Sequence, residues 1–217
     1  LTANNHSKVV NLALESFGKL RQSRKVFVSY KREDSSSVAI QLYEALEKSN
    51  FDVFLDTYSI KAGELFQEEL WHRMTDCDVI IMLNTKNFMS SRWCKEEFAE
   101  ASAKQIGIVQ LVWPNQKIES TATISIPILL NEIDFLAEQY NSIYNSKLSD
   151  ATMVRVIEEV ESMRARNLAA RQDNLITEFT NLAKVRGKTL VLQPERFLTE
   201  DLTNKKRRIF VPAIGVP

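Results

Sequence analysis

Apolar and polar positions change period block by block along this chain. Lys25-Val26-Phe27-Val28-Ser29-Tyr30 is short, β-branched and aromatic, and charge bounds it, so it predicts a strand. The polar stretch Lys31-Arg32-Glu33-Asp34-Ser35 reads as a loop that ends in helix-capping residues. Val38, Leu42, Ala45 and Leu46 then recur on one stripe of a predicted helix. Lys48-Ser49-Asn50 is expected to close it, with Asn50 in the left-handed conformation. A second strand is predicted over Phe51-Asp52-Val53-Phe54-Leu55-Asp56, then a loop over residues 57–63. A helix from Glu64 to about Thr75 carries Leu65, Phe66, Leu70 and Met74. Val79-Ile80-Ile81-Met82-Leu83 is apolar without a break, as expected of a strand covered on both faces. A helix opens at Ser90-Ser91 and runs to about Lys104. A fourth strand spans residues 106–113, and Pro114 stops it.

The order β-α-β-α-β-α-β with short connections implies a parallel sheet, helices on both faces and right-handed crossovers. Ligands of such sheets sit beyond the carboxyl ends of the strands. Three segments leave those ends, residues 30–35, 56–63 and 84–93, and all three can converge on one crevice. Beyond Pro114, residues 126–135 are expected to hold a fifth strand. Ser149 and Asp150 can cap a long helix with Val154, Ile157, Val160 and Met163 on its buried stripe. Helical character continues with interruptions to about Val185, and Gly187 breaks it. Leu190-Val191-Leu192 and Ile209-Phe210-Val211 predict two short strands around the basic run Lys205-Lys206-Arg207-Arg208, which is expected to be a solvated turn. The expected organisation is an amino-terminal helix or linker over residues 1–24, a domain over 25–149, and an extension over 150–217. That extension reads as the start of a further module cut short.

The helix after the third strand divides into two stripes. Trp93 and Glu97 are four apart and share a face. Cys94, Phe98 and Ala101 form an apolar stripe turned away from them, suited to the core. Glu96 and Glu97 lie near the positive end of the helix dipole. With the apolar stripe inward, the Trp93/Glu97 pair is left to face the crevice.

Composition narrows the candidate chemistry. The chain has 217 residues and a formal net charge of zero, which argues against a nucleic-acid partner held by bulk electrostatics. Two cysteines without metal-ligand spacing point to a reduced, cytoplasmic setting and to no metal. No apolar run reaches the length of a membrane span, so no membrane partner is expected.

Three motifs in order carry a resemblance. Val26-Phe27-Val28-Ser29-Tyr30 with its charged pair, Phe54-Leu55-Asp56 followed by Ala62-Gly63, and Ser91-Arg92-Trp93-Cys94-Lys95-Glu96-Glu97-Phe98 resemble the first strand, the second strand with its BB loop, and the third helix of a TIR (Toll/interleukin-1 receptor) domain. Phe98 stands where that family more often has Leu. The resemblance implies a flavodoxin-like α/β fold over the central part of the chain. It also implies an NAD-cleaving activity of the type found in the enzymatic members, in a defence or signalling role with an antiphage character. Glu97 matches their catalytic Glu. Lys61 matches a loop position that lines their substrate site, and Trp93, Lys31 and Arg32 are the other expected substrate contacts. The carboxylate would stabilise an oxocarbenium-like ribose as nicotinamide leaves, and the cations would meet the pyrophosphate. NAD is then a substrate, and no cofactor is implied. Self-association through the BB loop (from Thr57 to Gly63) is the implied partner contact. The rival reading is a non-catalytic TIR–TIR assembly module in which Glu97 is incidental.

Other residues receive structural assignments. Cys94 lacks a nearby histidine and reads as a small buried residue. Ser29 and Asp56 read as loop-bonding residues. Asp76 and Asp78 flank the amino end of a strand, the wrong end for a site in this fold, and are set aside.

Overall fold

The computed structural model describes residues 24–55, 73–88, 99, 106–120, 124–193, 198–200 and 209–210. Element names below refer to these residues. Five strands, β1 (Lys25–Ser29), β2 (Asp52–Leu55), β3 (Val79–Asn84), β4 (Gly107–Val112) and β5 (Ser125–Leu129), form one sheet in the order β2-β1-β3-β4-β5. Every pairing is parallel, with Val26 opposite Val53 and Val79, Ile80 opposite Ile108, and Val109 opposite Ile126. This is the flavodoxin-like arrangement expected from the sequence. All residues of β3 and β4 are buried, as expected of largely apolar strands covered on both faces, and the two polar residues among them, Asn84 and Gln110, bond to each other.

Alternation along the strands sends side chains to two cores. On one face, Val26, Val28, Val79, Ile81, Leu83, Val109 and Leu111 pack with helix α1 (Arg32–Lys48) through Val38, Leu42 and Leu46. Helix α2 (Asp150–Val185) adds Met153, Val156, Val160 and Met163 to the same core. On the other face, Phe27, Ile80, Met82 and Ile108 are buried with Met74, Cys77, Phe88 and Ile106. Burial first, and then the Asp78 and Asp76 carboxylates, push the Cys77 thiol up to about 12.

Helix α1 begins earlier than expected. Arg32, Glu33 and Asp34 already form a helical turn, and the backbone N–H groups of Asp34 and Ser35 both donate to the Lys31 carbonyl at 3.0 Å. Two acids in that turn suit the positive end of the helix dipole and stabilise the early start. Ser35 is non-helical and separates this turn from the rest of α1. At the far end Asn50 adopts a φ of 61°, the predicted left-handed stop.

Helix α2 is one uninterrupted element of 36 residues, roughly 54 Å long. Ser149 caps it by accepting from the Thr152 N–H at 3.3 Å. Its buried stripe keeps Val160 and Met163 of the expected one but starts a position earlier, with Ile157 only partly buried against the core. Met153 and Val156 are buried, whereas Val154 is 55% exposed. A run spaced every third residue drifts off the core face of a helix with 3.6 residues per turn, and the structure follows the helix. Gly187 ends the element at a φ of 70°, as expected.

The amino end of the sheet is closed by α2. Asp78 is fully buried, and its Oδ2 accepts from Arg164 Nε at 3.0 Å and from the Lys25 backbone N–H at 3.3 Å. Its carbonyl accepts from Asn167 Nδ2 at 2.8 Å. Gly107 makes the close approach possible, because a Cβ there would lie 2.6 Å from Met163 Sδ. Arg24 pairs with Glu161 on the same helix. Beyond α2, β6 (Leu190–Leu192), β7 (Leu198–Glu200) and β8 (Ile209–Phe210) make a small antiparallel sheet. Two of these strands were expected, and β7 joins them. The basic run 205–208 and the amino-terminal stretch 1–23 lie outside the described residues.

Candidate active site

The chain passes from β1 to β2 on one side and to β3 on the other, so the topological switch point falls at the carboxyl ends of β1 and β3. Ser29 is buried there, consistent with its structural assignment. The loop that follows carries Lys31 and Arg32 out of the sheet. Lys31 is half-buried, and its Nζ donates to the Asn87 carbonyl at 3.4 Å. Arg32 is exposed on the first turn of α1. The two expected cations therefore follow the carboxyl end of β1, with Lys31 bonded to the turn that leaves β3.

A third residue joins the two loops. The Asp34 Oδ2 accepts from Thr85 Oγ1 at 2.8 Å and from the Asn87 backbone N–H at 3.1 Å. Its Oδ1 accepts from Asn87 Nδ2 at 3.2 Å. Donors to an ionised acceptor make the stronger class of hydrogen bond. Sequence reasoning left Asp34 inside a polar loop. The available signal was an acid three residues into a helix that leaves a strand end, and its partners lie over fifty positions away.

A buried amide pair supports the next strand end. Asn84 Nδ2 donates to Gln110 Oε1 at 3.0 Å and to the Lys117 carbonyl at 2.9 Å. Gln110 in turn accepts from the Glu119 N–H at 2.7 Å and donates to the Glu119 carbonyl at 3.1 Å. These bonds lay the loop after β4 back over the sheet end. Trp113 Nε1 donates to the Tyr140 carbonyl at 3.1 Å, which draws in the segment after β5. A cleft of about 660 Å³ opens between these elements, lined by Asp34, Lys86, Asn87, Asn115, Gln116 and Tyr140 among others. It falls within the range typical of small-molecule sites.

Glu97, Trp93 and Lys61, together with Cys94 and the loop 57–63, lie outside the described residues. Asp76 and Asp78 do lie at the opposite end. Asp76 pairs with Lys25, and Asp78 is held by Arg164.

Comparison with known proteins gives three results. The TIR domain profile matches residues 26–143, more than half of the chain. A 2′ cyclic ADP-D-ribose synthase, BtTIR of Bacteroides thetaiotaomicron, is 22% identical over 88 residues, which is 41% of this chain and 31% of that protein. The chain therefore matches under a third of the length of this relative. The TIR domains of an activated Roq1 resistosome directly recognising the pathogen effector XopQ align with a TM-score of 0.37 at 16% identity, over 70% of this chain and 99% of that one.

Proposed function

The chain belongs to the TIR domain family, and from that premise we propose that it is an NAD glycohydrolase. It cleaves the bond between nicotinamide and ribose, and it releases nicotinamide with ADP-ribose or a cyclic isomer. The observation that carries this reading is the sequence segment Ser91-Arg92-Trp93-Cys94-Lys95-Glu96-Glu97, which follows β3 in the chain and resembles the third helix of a TIR domain. The distant similarity to a cyclic ADP-ribose synthase supports it. Lys31 and Arg32 at the neighbouring strand end supply the positive charge that a pyrophosphate needs.

The chemistry asks little beyond electrostatics. Nicotinamide bonded to ribose is cationic and leaves with the bonding electron pair as a neutral molecule. The ribose carbon is left oxocarbenium-like, as in glycoside hydrolysis. Glu97 is the carboxylate assigned to stabilise that charge and to bind the ribose hydroxyls. Trp93, one turn earlier, offers a ring face to nicotinamide, and Lys61 meets the substrate from the loop 57–63. Water then adds to give ADP-ribose, or a nucleophile within the same molecule closes a ring. Contacts through the loop 57–63 between copies complete the site, and a defence or signalling role follows from consumption of NAD.

Mass spectrometry of NAD incubated with purified protein, at concentrations that drive self-association, tests this reading. Nicotinamide and one ADP-ribose isomer are expected in equal amounts. Intact NAD with the protein in its assembled state would instead support a non-catalytic assembly module. Release of nicotinamide at the same rate by Glu97→Ala would remove the assigned mechanism.

A further inference from the structure

We infer that the carboxyl-terminal half of α2 is a docking surface for a second copy of this chain, paired antiparallel about a two-fold axis at Leu182. The inference is independent of the NAD reading.

The first half of α2 covers the sheet. Between Glu161 and Asn167 it reaches the amino ends of the strands. Glu161 pairs with Arg24 just ahead of β1, and Arg164 pairs with Asp78 just ahead of β3. Met163 lies against Gly107 at the start of β4, and Asn167 bonds to the Asp78 carbonyl. The helix then continues for roughly 27 Å from Asn167 to Val185. Its apolar face continues with it. Val160, Arg164, Leu168, Leu175, Phe179 and Leu182 follow in steps of three, four or seven, which keeps them on one face. Val160, Arg164 and Leu168 are buried, whereas Leu175 and Phe179 are exposed and Leu182 is 61% exposed. Val185, one turn on, is 86% exposed. A lone exposed apolar residue such as Val154 needs no covering, but four on consecutive turns make a contiguous patch.

Charge placement selects the occupant. Glu178, Leu182 and Arg186 lie four apart on one ridge, and all three are exposed. Glu178 and Arg186 are separated by two turns, roughly 12 Å along the axis, too far to pair with each other. The ridge is thus negative, apolar and positive in order, and it is self-complementary. A two-fold axis at Leu182 sets that side chain against its own copy and places the Glu178 of each copy beside the Arg186 of the other. Val185 of one copy then falls against Phe179 of the other. A two-fold contact uses the same patch on both subunits, and ridges four residues apart interdigitate in helix packing. An acidic or a basic partner would satisfy only one end of the ridge. Beside it, Phe179, Leu182, Ala183 and Leu190 line a groove of about 200 Å³ that can take an apolar side chain. The contact is small, under ~1,200 Å² in total, so a weak, concentration-dependent dimer is expected.

Sedimentation equilibrium of the full chain over ~1–100 µM tests this, with Tm recorded for every variant. The wild type is expected to dimerise in that range. Leu182→Glu sets two carboxylates against each other at the axis and should leave a monomer at the wild-type Tm, because Leu182 is exposed. Glu178→Arg and Arg186→Glu should each weaken the dimer by ~10-fold or more, and the two changes together should restore it to within about threefold. That rescue is the decisive result, because lost folding would not be recovered by a second change. A wild type that stays monomeric throughout overturns the inference and leaves the patch to another segment of the chain or to a different protein. A dimer that Leu182→Glu does not weaken is formed elsewhere, for example through the loop 57–63, and overturns it too. So does a double reversal that dimerises no more tightly than the single ones.

Discussion

The two ends of the sheet treat their polar groups in opposite ways. At the amino end Asp78 and Arg164 are both fully buried and bonded to each other, and Asn167 adds a bond to the Asp78 backbone. Helix α2 lies close over that end because Gly107 leaves room for Met163. At the carboxyl end Lys86 and Asn87 are exposed and line a cleft, and Lys31 and Arg32 after β1 also stay at least partly open to solvent. Asp34 there bonds to a turn and is only half-buried. The difference shows that charge type alone does not mark a site. An Asp and an Arg sealed away from water hold elements together, while similar groups left at an open strand end can still meet a ligand.

Changes at the amino end should act on stability. The largest expected effect is that of Arg164→Ala, which leaves the Asp78 carboxylate buried without its guanidinium. A loss of about 3–5 kcal/mol in chemical unfolding is expected, and a loss under about 1 kcal/mol would show that water already reaches this pair. Gly107→Ala comes next. Its Cβ would collide with a flexible Met163 side chain, so repacking relieves part of the strain and about 1–3 kcal/mol is expected by the same measurement. Val154→Asp is the smallest. Val154 is on the exposed side of α2, and a change within about 0.5 kcal/mol is expected. A large loss there would mean that the helix is rotated from the stripe described here.

Much of the sheet was readable in the sequence because its signals are local. The run Val79-Ile80-Ile81-Met82-Leu83 needs both faces covered wherever it sits, and the structure buries it throughout. Asn50 and Gly187 act through their own backbone angles, and both terminate helices as expected. What stayed hidden depends on pairing across the chain. Asp78 and Arg164 are 86 positions apart, and nothing near either residue announces the other. The same holds for Asp34 and the turn at Asn87. Strand β7 was missed because three residues flanked by charge carry too short a pattern. In the candidate site, Lys31 and Arg32 emerge at the strand end that the β-α-β order predicted. Their junction with the next loop, through Asp34, required the fold.

The central claim is that chemistry resides at the carboxyl end and depends on Glu97. It is tested most directly by the rate of nicotinamide release from NAD by the wild-type chain and by Glu97→Ala, measured at matched concentration and with Tm recorded for both. The account predicts turnover by the wild type and a drop of at least ~10²-fold in the variant at nearly unchanged Tm. Equal rates in the two proteins would contradict it.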